Sequence, residues 1–448
     1  MAFYTKQTAS EVTGICAGSP SFLLSFYQIF NLAPRTQDLI YLMNMKTTRR
    51  KFLSSSGAAT AAIGFPSIIP SSALGNADKP APSNRIVMGG IGIGSMGRGD
   101  QGAFLGKNDV QYVAVCDARK GAMNQAKAKT DAKYGNKDCK TYADYRDILS
   151  RDDIDAVHIA TPDHWHAQMI IDSCRHGKDV FCQKPESLTL GEGSLMVETA
   201  KRYGRVVSGG SQRVLQDYKG TVLRCWNGSY GKINSINVNV GPMSQPCNLT
   251  PENQPDDIDW EMWLGPAPWA PYNSKRCSGS YSTSGNSWRS YIDYSGGGMT
   301  DWGAHHFGGA TFAVDVRELQ PNKVVLDEKD GKKFVSLKYS NGIEITHNKP
   351  GVGQMHVGRD NVQREGKEVP KYAGNSGISG DFIDCVKTRN KPFRHIDYAI
   401  NSMAVPHLAT IAYRLNRSLE WDPAKQQFVN DVEADRLRNR ARREPWQI

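Results

Sequence analysis

The stretch "RIVMGGIGIGSMGRG", residues 85–99, limits what this chain can fold into more than any other. Its apolar start reads as a buried strand. Its glycines fall at Gly92, Gly94 and Gly97, a G-x-G-x-x-G spacing with Ser95 and Met96 in the last gap. Residues 95–107 then read as a helix. The spacing alone is a weak signal, but its setting is not. The next apolar run, "VQYVAVCD", ends at Asp117, twenty residues beyond Gly97. Strand, glycine turn, helix, strand and acidic residue together form the fingerprint of dinucleotide binding. The first glycine permits the tight turn, the second lets the backbone approach a pyrophosphate, and the third lets helix and strand pack closely. The pyrophosphate then sits at the helix N-terminus. Asp117 would accept hydrogen bonds from ribose hydroxyls and repel a 2′-phosphate, which favours NAD. Arg119 can take such a phosphate, so NADP stays open.

The pattern continues past this unit. "ARKGAMNQAKAKTDAKYG" reads as a helix stopped at Gly135, "YADYRDILSR" as another helix, and "DAVHIA" as a strand. Strands alternating with helices imply a parallel sheet with crossover helices. "GRVVSGG" closes this first domain near residue 212. The rest of the chain, 213–448, changes character. "KINSINVNVG" alternates at Ile236, Val238 and Val240, as a half-buried strand does. "KFVSLKYSNGIEITHNK" reads as a hairpin turning at Asn341-Gly342, a pair suited to a type I′ turn. Antiparallel sheet dominates here. Between these strands lies a Trp-, Pro- and Gly-rich region, residues 241–300, whose aromatics argue against disorder.

Two stretches carry chemistry. In "TPDHWHAQMIIDSCRHGKDVFCQKP", residues 161–185, Asp163 is positioned to cap a helix starting at His164. His164 and His166 are two apart and do not share a helix face, which argues against a common metal. The strand "DVFC" ends in Gln183-Lys184-Pro185. Ligands of open α/β sheets bind at such strand ends. Lys184 is therefore either an ordinary surface lysine or a site residue. The other stretch is "YSGGGMTDWGAHHFGGATFAV", with a helix beginning near Thr300. Asp301 and His305, four apart, share a helix face. They read either as a cap and a satisfied histidine or as an acid/base pair. A metal there would need a third ligand, and none is evident, so no metal is expected.

The leader "TTRRKFLSSSGAATAAIGFPSIIPSSALG" has Arg49-Arg50, a short weakly apolar run and small residues at Ser71 and Ala73. It resembles a twin-arginine export signal over residues 43–73, with 74–84 as a polar linker. Export by the twin-arginine translocation machinery would place the protein in the periplasm. Residues 1–42 precede the usual start of such a signal, and Met43 or Met45 is the natural start. The net charge of +10 falls to about +6 without residues 1–73, which hold six Lys/Arg and two Asp/Glu. The basic tail "RLRNRARREP" lacks interleaved aromatics and reads as a solvated helix, so no nucleic-acid partner is expected. The nine cysteines show no C-x-x-C. Cys247 and Cys277 could pair in an exported protein.

Together the glycine loop, Asp117, "ATPDHWH", the Lys-Pro and the helix with Asp301 and His305 resemble the Gfo/Idh/MocA oxidoreductase family, from Arg85 onward. The resemblance implies an α/β chain: an N-terminal Rossmann dinucleotide-binding domain, 85–212, and a C-terminal α/β domain, 213–448. The latter would carry an open, mostly antiparallel sheet that often mediates dimers or tetramers. It implies a catalytic Lys184 near the nicotinamide, Asp301 and His305 on the substrate, and His305 as acid/base. It places Thr161, Pro162, His164, His166 and Gln183 with the glycine loop and Asp117 around NAD. Trp288 and Tyr291 would stack on a carbohydrate substrate. "GGGMTDWGAHH" and "DWEMWLGPAP" look like the exported, sugar-acting branches. Gln183 stands where the family has Glu, which removes an anion beside Lys184 and should lower its pKa.

Three functions follow from this reading. The first is hydride transfer at a hydroxyl carbon of a sugar, glycoside or cyclitol. The second is a redox-neutral NAD-dependent glycosidase, which oxidises C3, eliminates the C1 substituent and returns the hydride. An exported enzyme with trapped NAD suits either. The third, a non-catalytic ligand-binding relative, fits poorly with retention of Lys184, Asp301 and His305.

Overall fold

The computed structural model describes residues 80–281, 286–374 and 376–448. The expected segment 1–42, the export signal 43–73 and the linker up to residue 79 lie outside the described residues.

The first sheet is built from short, largely buried apolar strands, as parallel strands under crossover helices must be, except at the edge strand 140–142, which is polar and exposed. They are β1 (Ile86–Ile91), β2 (Val110–Cys116), β3 (Lys140–Tyr142), β4 (Ala156–Ile159), β5 (Asp179–Cys182) and β6 (Val207–Gly209). All their pairings are parallel, in the order β3-β2-β1-β4-β5-β6. The chain winds outward from β1 one way, then returns to start again at β4. The carboxyl ends of β1 and β4 therefore diverge and open a crevice. The intervening helices are α1 (Ser95–Leu105), α2 (Lys120–Tyr134), α3 (Tyr145–Leu149), α4 (Asp163–Arg175) and α5 (Leu190–Arg202). Gly135 ends α2 in the left-handed conformation expected of a stop. Asp163 does not cap α4. It is the first helical residue, and Pro162 holds the cap position without a side-chain bond. The fixed φ of proline suits the turn into the helix.

The second sheet has seven strands in the order β11-β7-β10-β9-β8-β12-β13. They are β7 (Lys232–Val238), β8 (Lys323–Lys329), β9 (Lys332–Lys338), β10 (Glu344–His347), β11 (His356–Asp360), β12 (Leu419–Asp422) and β13 (Gln427–Phe428). The β7–β10 pair is parallel and the others are antiparallel. The apolar residues Ile236, Val238, Leu337 and Ile345 pack against Phe307, Phe312 and Leu408 of the covering helices. The β9–β10 hairpin corrects the expected turn. Only Gly342 is left-handed, and the Tyr339 and Ile343 backbones close a three-residue loop. This is a turn followed by a glycine bulge, since Asn341 keeps negative φ.

Residues from the far end of the chain return to the first domain. The helix α6 (Gly377–Thr388) inserts Phe382 beside Phe104 and Phe181, with ring centroids 6.2 and 5.8 Å apart. The buried Arg394 pairs with the buried Glu186 at 2.8 and 3.2 Å, two residues past Lys184. The tail is not a solvated helix. Helix is confined to Val432–Arg436, and the arginines beyond it are anchored: Arg442 on Glu192, Arg443 on Gly265 and Arg440 on Asp293. Acceptors on the folded surface, rather than solvent, fix their course. Cys247 and Cys277 are not joined; every described cysteine is free, and Cys277 lies against the Arg119 guanidinium at 3.0 Å.

Candidate functional site

The crevice at the carboxyl ends of β1, β2 and β4 deepens into a cleft. Its floor is the glycine turn. Gly92 is left-handed, and a Cβ there would fall 2.5 Å from the Thr161 amide. At Gly97 a Cβ would fall 2.2 Å from the Gly92 carbonyl, so only glycine lets α1 meet β1. At Gly94 nothing lies within 4 Å of the Cβ position. That open side is where a backbone can be approached by a ligand, with the N-terminus of α1, Ser95 and Met96 beside it. Asp117 sits half-buried at the end of β2. Its carboxylate accepts from the Ile93 and Arg119 amides at 2.7 and 2.8 Å, and burial raises its pKa. Each carboxylate oxygen keeps a further lone pair for a ribose hydroxyl. Floor, acidic residue and helix terminus fit a dinucleotide.

Thr161, Pro162, Gln183 and Lys184 line the same cleft. His164 and His166 do not. The His164 Nε2 bonds the Trp263 carbonyl at 3.0 Å, among the rings of Trp263 and Tyr294. Burial drives its pKa down to about 3. The His166 nitrogens meet the Pro185 and Thr161 carbonyls at 2.7 and 2.9 Å. These rings brace the loops that carry Thr161 and Lys184 and do not face a ligand. Tyr291 is likewise buried, in the aromatic cluster of region 241–300, whereas Trp288 faces the cleft.

Lys184 leaves the end of β5 and reaches Asp301. Its Nζ donates to Asp301 Oδ1 at 2.8 Å and to the Asp301 carbonyl at 3.0 Å. The Arg289 Nε shares the same Oδ1 at 3.4 Å. An anion therefore does touch Lys184, supplied by Asp301 in place of residue 183. Gln183 turns aside and donates to Asp100 at 2.6 Å. The expected lowering for want of an anion loses its premise. Asp301 and His305 share the short helical run Gly298–Ala313, broken at Trp302, but do not bond each other. His305 Nδ1 pairs with the Ser211 hydroxyl at 2.8 Å. Burial, then the nearby Lys184 charge, push its pKa down to about 2, so the ring is neutral.

Sequence reasoning missed four cleft residues. Asp163 is buried with the Ser295 hydroxyl near its carboxyl group, and burial with the Asp301 charge pushes its pKa up to about 8. Arg289 lies over the rings of Trp288 at 4.1 Å and Tyr281 at 4.7 Å. Trp165 and Tyr145 form an aromatic wall, with ring centroids 5.6 Å apart. The signals were present as residue types, but whether a charged side chain is buried depends on how the loops around it fold, which residue type does not give.

A family model described as "Oxidoreductase family, NAD-binding Rossmann fold" matches residues 85–211. Its companion, "Oxidoreductase family, C-terminal alpha/beta domain", matches 242–351 and 353–448. A "Glycosyl hydrolase family 109 protein" from Shewanella sp. (strain W3-18-1) is 36% identical over 170 residues, 34% of this chain and 37% of that protein. An "Alpha-N-acetylgalactosaminidase" from Shewanella oneidensis is 34% identical over 173 residues, with the same shares. The chain thus spans 37% of the length of these curated relatives. The WlbA dehydrogenase from Chromobacterium violaceum, solved with NADH and UDP-GlcNAcA, superposes with TM-score 0.54 at 15% identity, over 77% of this chain and 98% of that one. At that identity the likeness is one of fold. With both of its domains matched by the family's own, the chain belongs to the Gfo/Idh/MocA oxidoreductase family.

Proposed function

We propose that the protein is an NAD-dependent oxidoreductase acting at a hydroxyl carbon of a sugar, glycoside or cyclitol. The observation that carries this is Lys184, clamped on Asp301 at the mouth of the glycine-floored cleft. When bound, the nicotinamide accepts a hydride or returns one. Lys184 has three N–H donors, and two are committed to Asp301. The third is left for the substrate oxygen, where it stabilises developing negative charge. His305 is neutral and tethered at Nδ1, so Nε2 is its free basic position. Burial and the neighbouring cations disfavour an imidazolium, so His305 serves at Nε2 as a hydrogen-bond acceptor that orients the substrate hydroxyl. Trp288 and Tyr281 line the cleft, and ring surface that Arg289 leaves uncovered would meet the apolar side of a sugar.

The curated relatives favour a second reading, the redox-neutral glycosidase, in which the same residues oxidise and then re-reduce one substrate. Residues 43–73 support export of the folded, cofactor-loaded chain to the periplasm by the twin-arginine route, and cell fractionation tests this. A homo-oligomer, dimer or tetramer, accords with family membership and is tested by sedimentation.

The deciding experiment begins with mass spectrometry of the supernatant from denatured protein, where near-stoichiometric NAD(H) is expected. The protein is then offered a panel of free sugars, cyclitols and aryl glycosides. Keto-sugar formed in proportion to NADH supports the first reading. Aglycone released without net NADH supports the second. Lys184→Ala should lower turnover about 100-fold or more while NADH still binds. Unchanged turnover in that variant would remove Lys184 from the chemistry.

A further inference from the structure

The cleft's aromatic wall is held only in part by the domain that contains it. Tyr145 and Trp165 line the cleft from α3 and α4. Behind them lies Trp446, almost at the far end of the chain. Its ring meets Trp165 edge-on at 4.7 Å and Tyr145 at 6.4 Å, and the Arg146 guanidinium covers it at 5.0 Å. A second line of contact reaches Tyr145 from the same segment. Arg442 donates to Gln168 at 2.9 Å, Gln168 donates to Asp172 at 2.9 Å, and the Tyr145 hydroxyl donates to the same Asp172 oxygen at 2.6 Å. Arg442 also donates to Glu192 at 2.7 Å and to the Trp446 carbonyl at 2.9 Å, and it is buried. Arg443 binds the Gly265 carbonyl at 3.0 Å. Gly265 lies so flat on Trp165 that a Cβ would fall 2.0 Å from its ring.

Both wall residues are therefore fixed from behind by residues 442–446, one by ring packing and the other through a hydrogen-bonded relay. Buried, paired groups of this kind have one low-energy arrangement. Tyr145 follows β3, the neighbour of β2, so it stands on the same side of the cleft as Asp117 and the ribose it would hold.

We propose that the segment 437–448 is a clasp for the dinucleotide, with Trp446 and Arg442 as positioning residues that hold Tyr145 and Trp165 against the cofactor. The proposal rests on the cleft taking NAD, and NADH binding by the parent chain checks that separately. The clasp touches no substrate group, so its loss weakens cofactor binding before it alters chemistry.

The test is calorimetric titration of the full-length, charcoal-treated protein with NADH. The parent chain should bind. Trp446→Ala should weaken NADH binding about tenfold or more, and Trp446→Phe should restore most of it, because a ring still backs Trp165. Arg443→Ala, whose charge pairs with the exposed Glu261, is the milder variant should Trp446→Ala fail to fold, and it should weaken binding in the same direction. At saturating NADH, turnover should change far less than the dissociation constant. A fall in melting temperature with unchanged NADH affinity in the folded variants would overturn the clasp, leaving the segment merely structural. A parent chain that does not bind NADH would overturn both the clasp and the reading of the cleft.

Discussion

Asp163 sits buried in the cleft, near Asp301, a carboxylate that Lys184 already engages. Its folded pKa, pushed up to about 8, exceeds that of an unfolded aspartate, about 4. Folding above pH 4 therefore requires the group to take up a proton. The stability cost is absent below pH 4, grows as pH rises, and levels off above pH 8. Asp163→Asn carries no such cost. Its melting temperature should match the parent near pH 4 and exceed it by on the order of a few degrees at pH 8. A difference that stays constant across that range would mean Asp163 is ionised in the folded chain. Lys184 was legible in the sequence because a strand end fixes where a residue lies. Asp163 and Arg289 were not: Asp163 feels Asp301 from far along the chain, and Arg289 is covered by the nearby rings of Trp288 and Tyr281 only once the loop has folded back. His164 and His166 misled for the converse reason. A histidine on an amphipathic helix reads alike whether it faces a ligand or a carbonyl.

The glycine turn separates two jobs that one motif performs. Gly97 serves packing, since its Cβ would collide with the Gly92 carbonyl. Gly94 serves access, since its Cβ would meet nothing in the chain. Gly97→Ala should therefore lower the melting temperature, as α1 is pushed from β1. Gly94→Ala should melt like the parent yet lose NADH affinity, because the added methyl occupies the ligand's side of the turn. Thermal melts beside NADH titrations check both; equal melting losses would contradict the division. The parallel sheet was readable because strand–helix alternation leaves few topologies. The hairpin turn and the tail were not. Asn-Gly permits more than one loop, and cross-strand register decides between them. Arginine-rich residues 436–443 carry a solvent-facing composition, but Glu192, Asp293 and the Gly265 carbonyl draw them inward.

Across the whole molecule, the two sheets are joined less by a linker than by return traffic. Arg394 and Glu186 are both buried and bond one another at the base of the Lys184 loop. A buried pair broken on one side leaves an uncompensated charge, at about 3–5 kcal/mol. Glu186→Gln should lose stability on that order in denaturant titration, and its turnover should fall as Lys184 loses its footing. Loss of less than about 1 kcal/mol would show that Arg394 finds another partner. Fold class could be read from local pattern alone. The assembly of one domain's core from the other's residues could not, because nothing in "DFIDCVK" or "REPWQI" states where it docks. Synthesis order gives this arrangement a consequence. Trp446 and Arg442 are made after every strand of both sheets. A nascent chain can have its glycine turn, its acidic residue and its lysine in place while the wall beside them still lacks its backing. On the clasp proposal, full affinity for cofactor is then a property the chain acquires late, once its second domain exists.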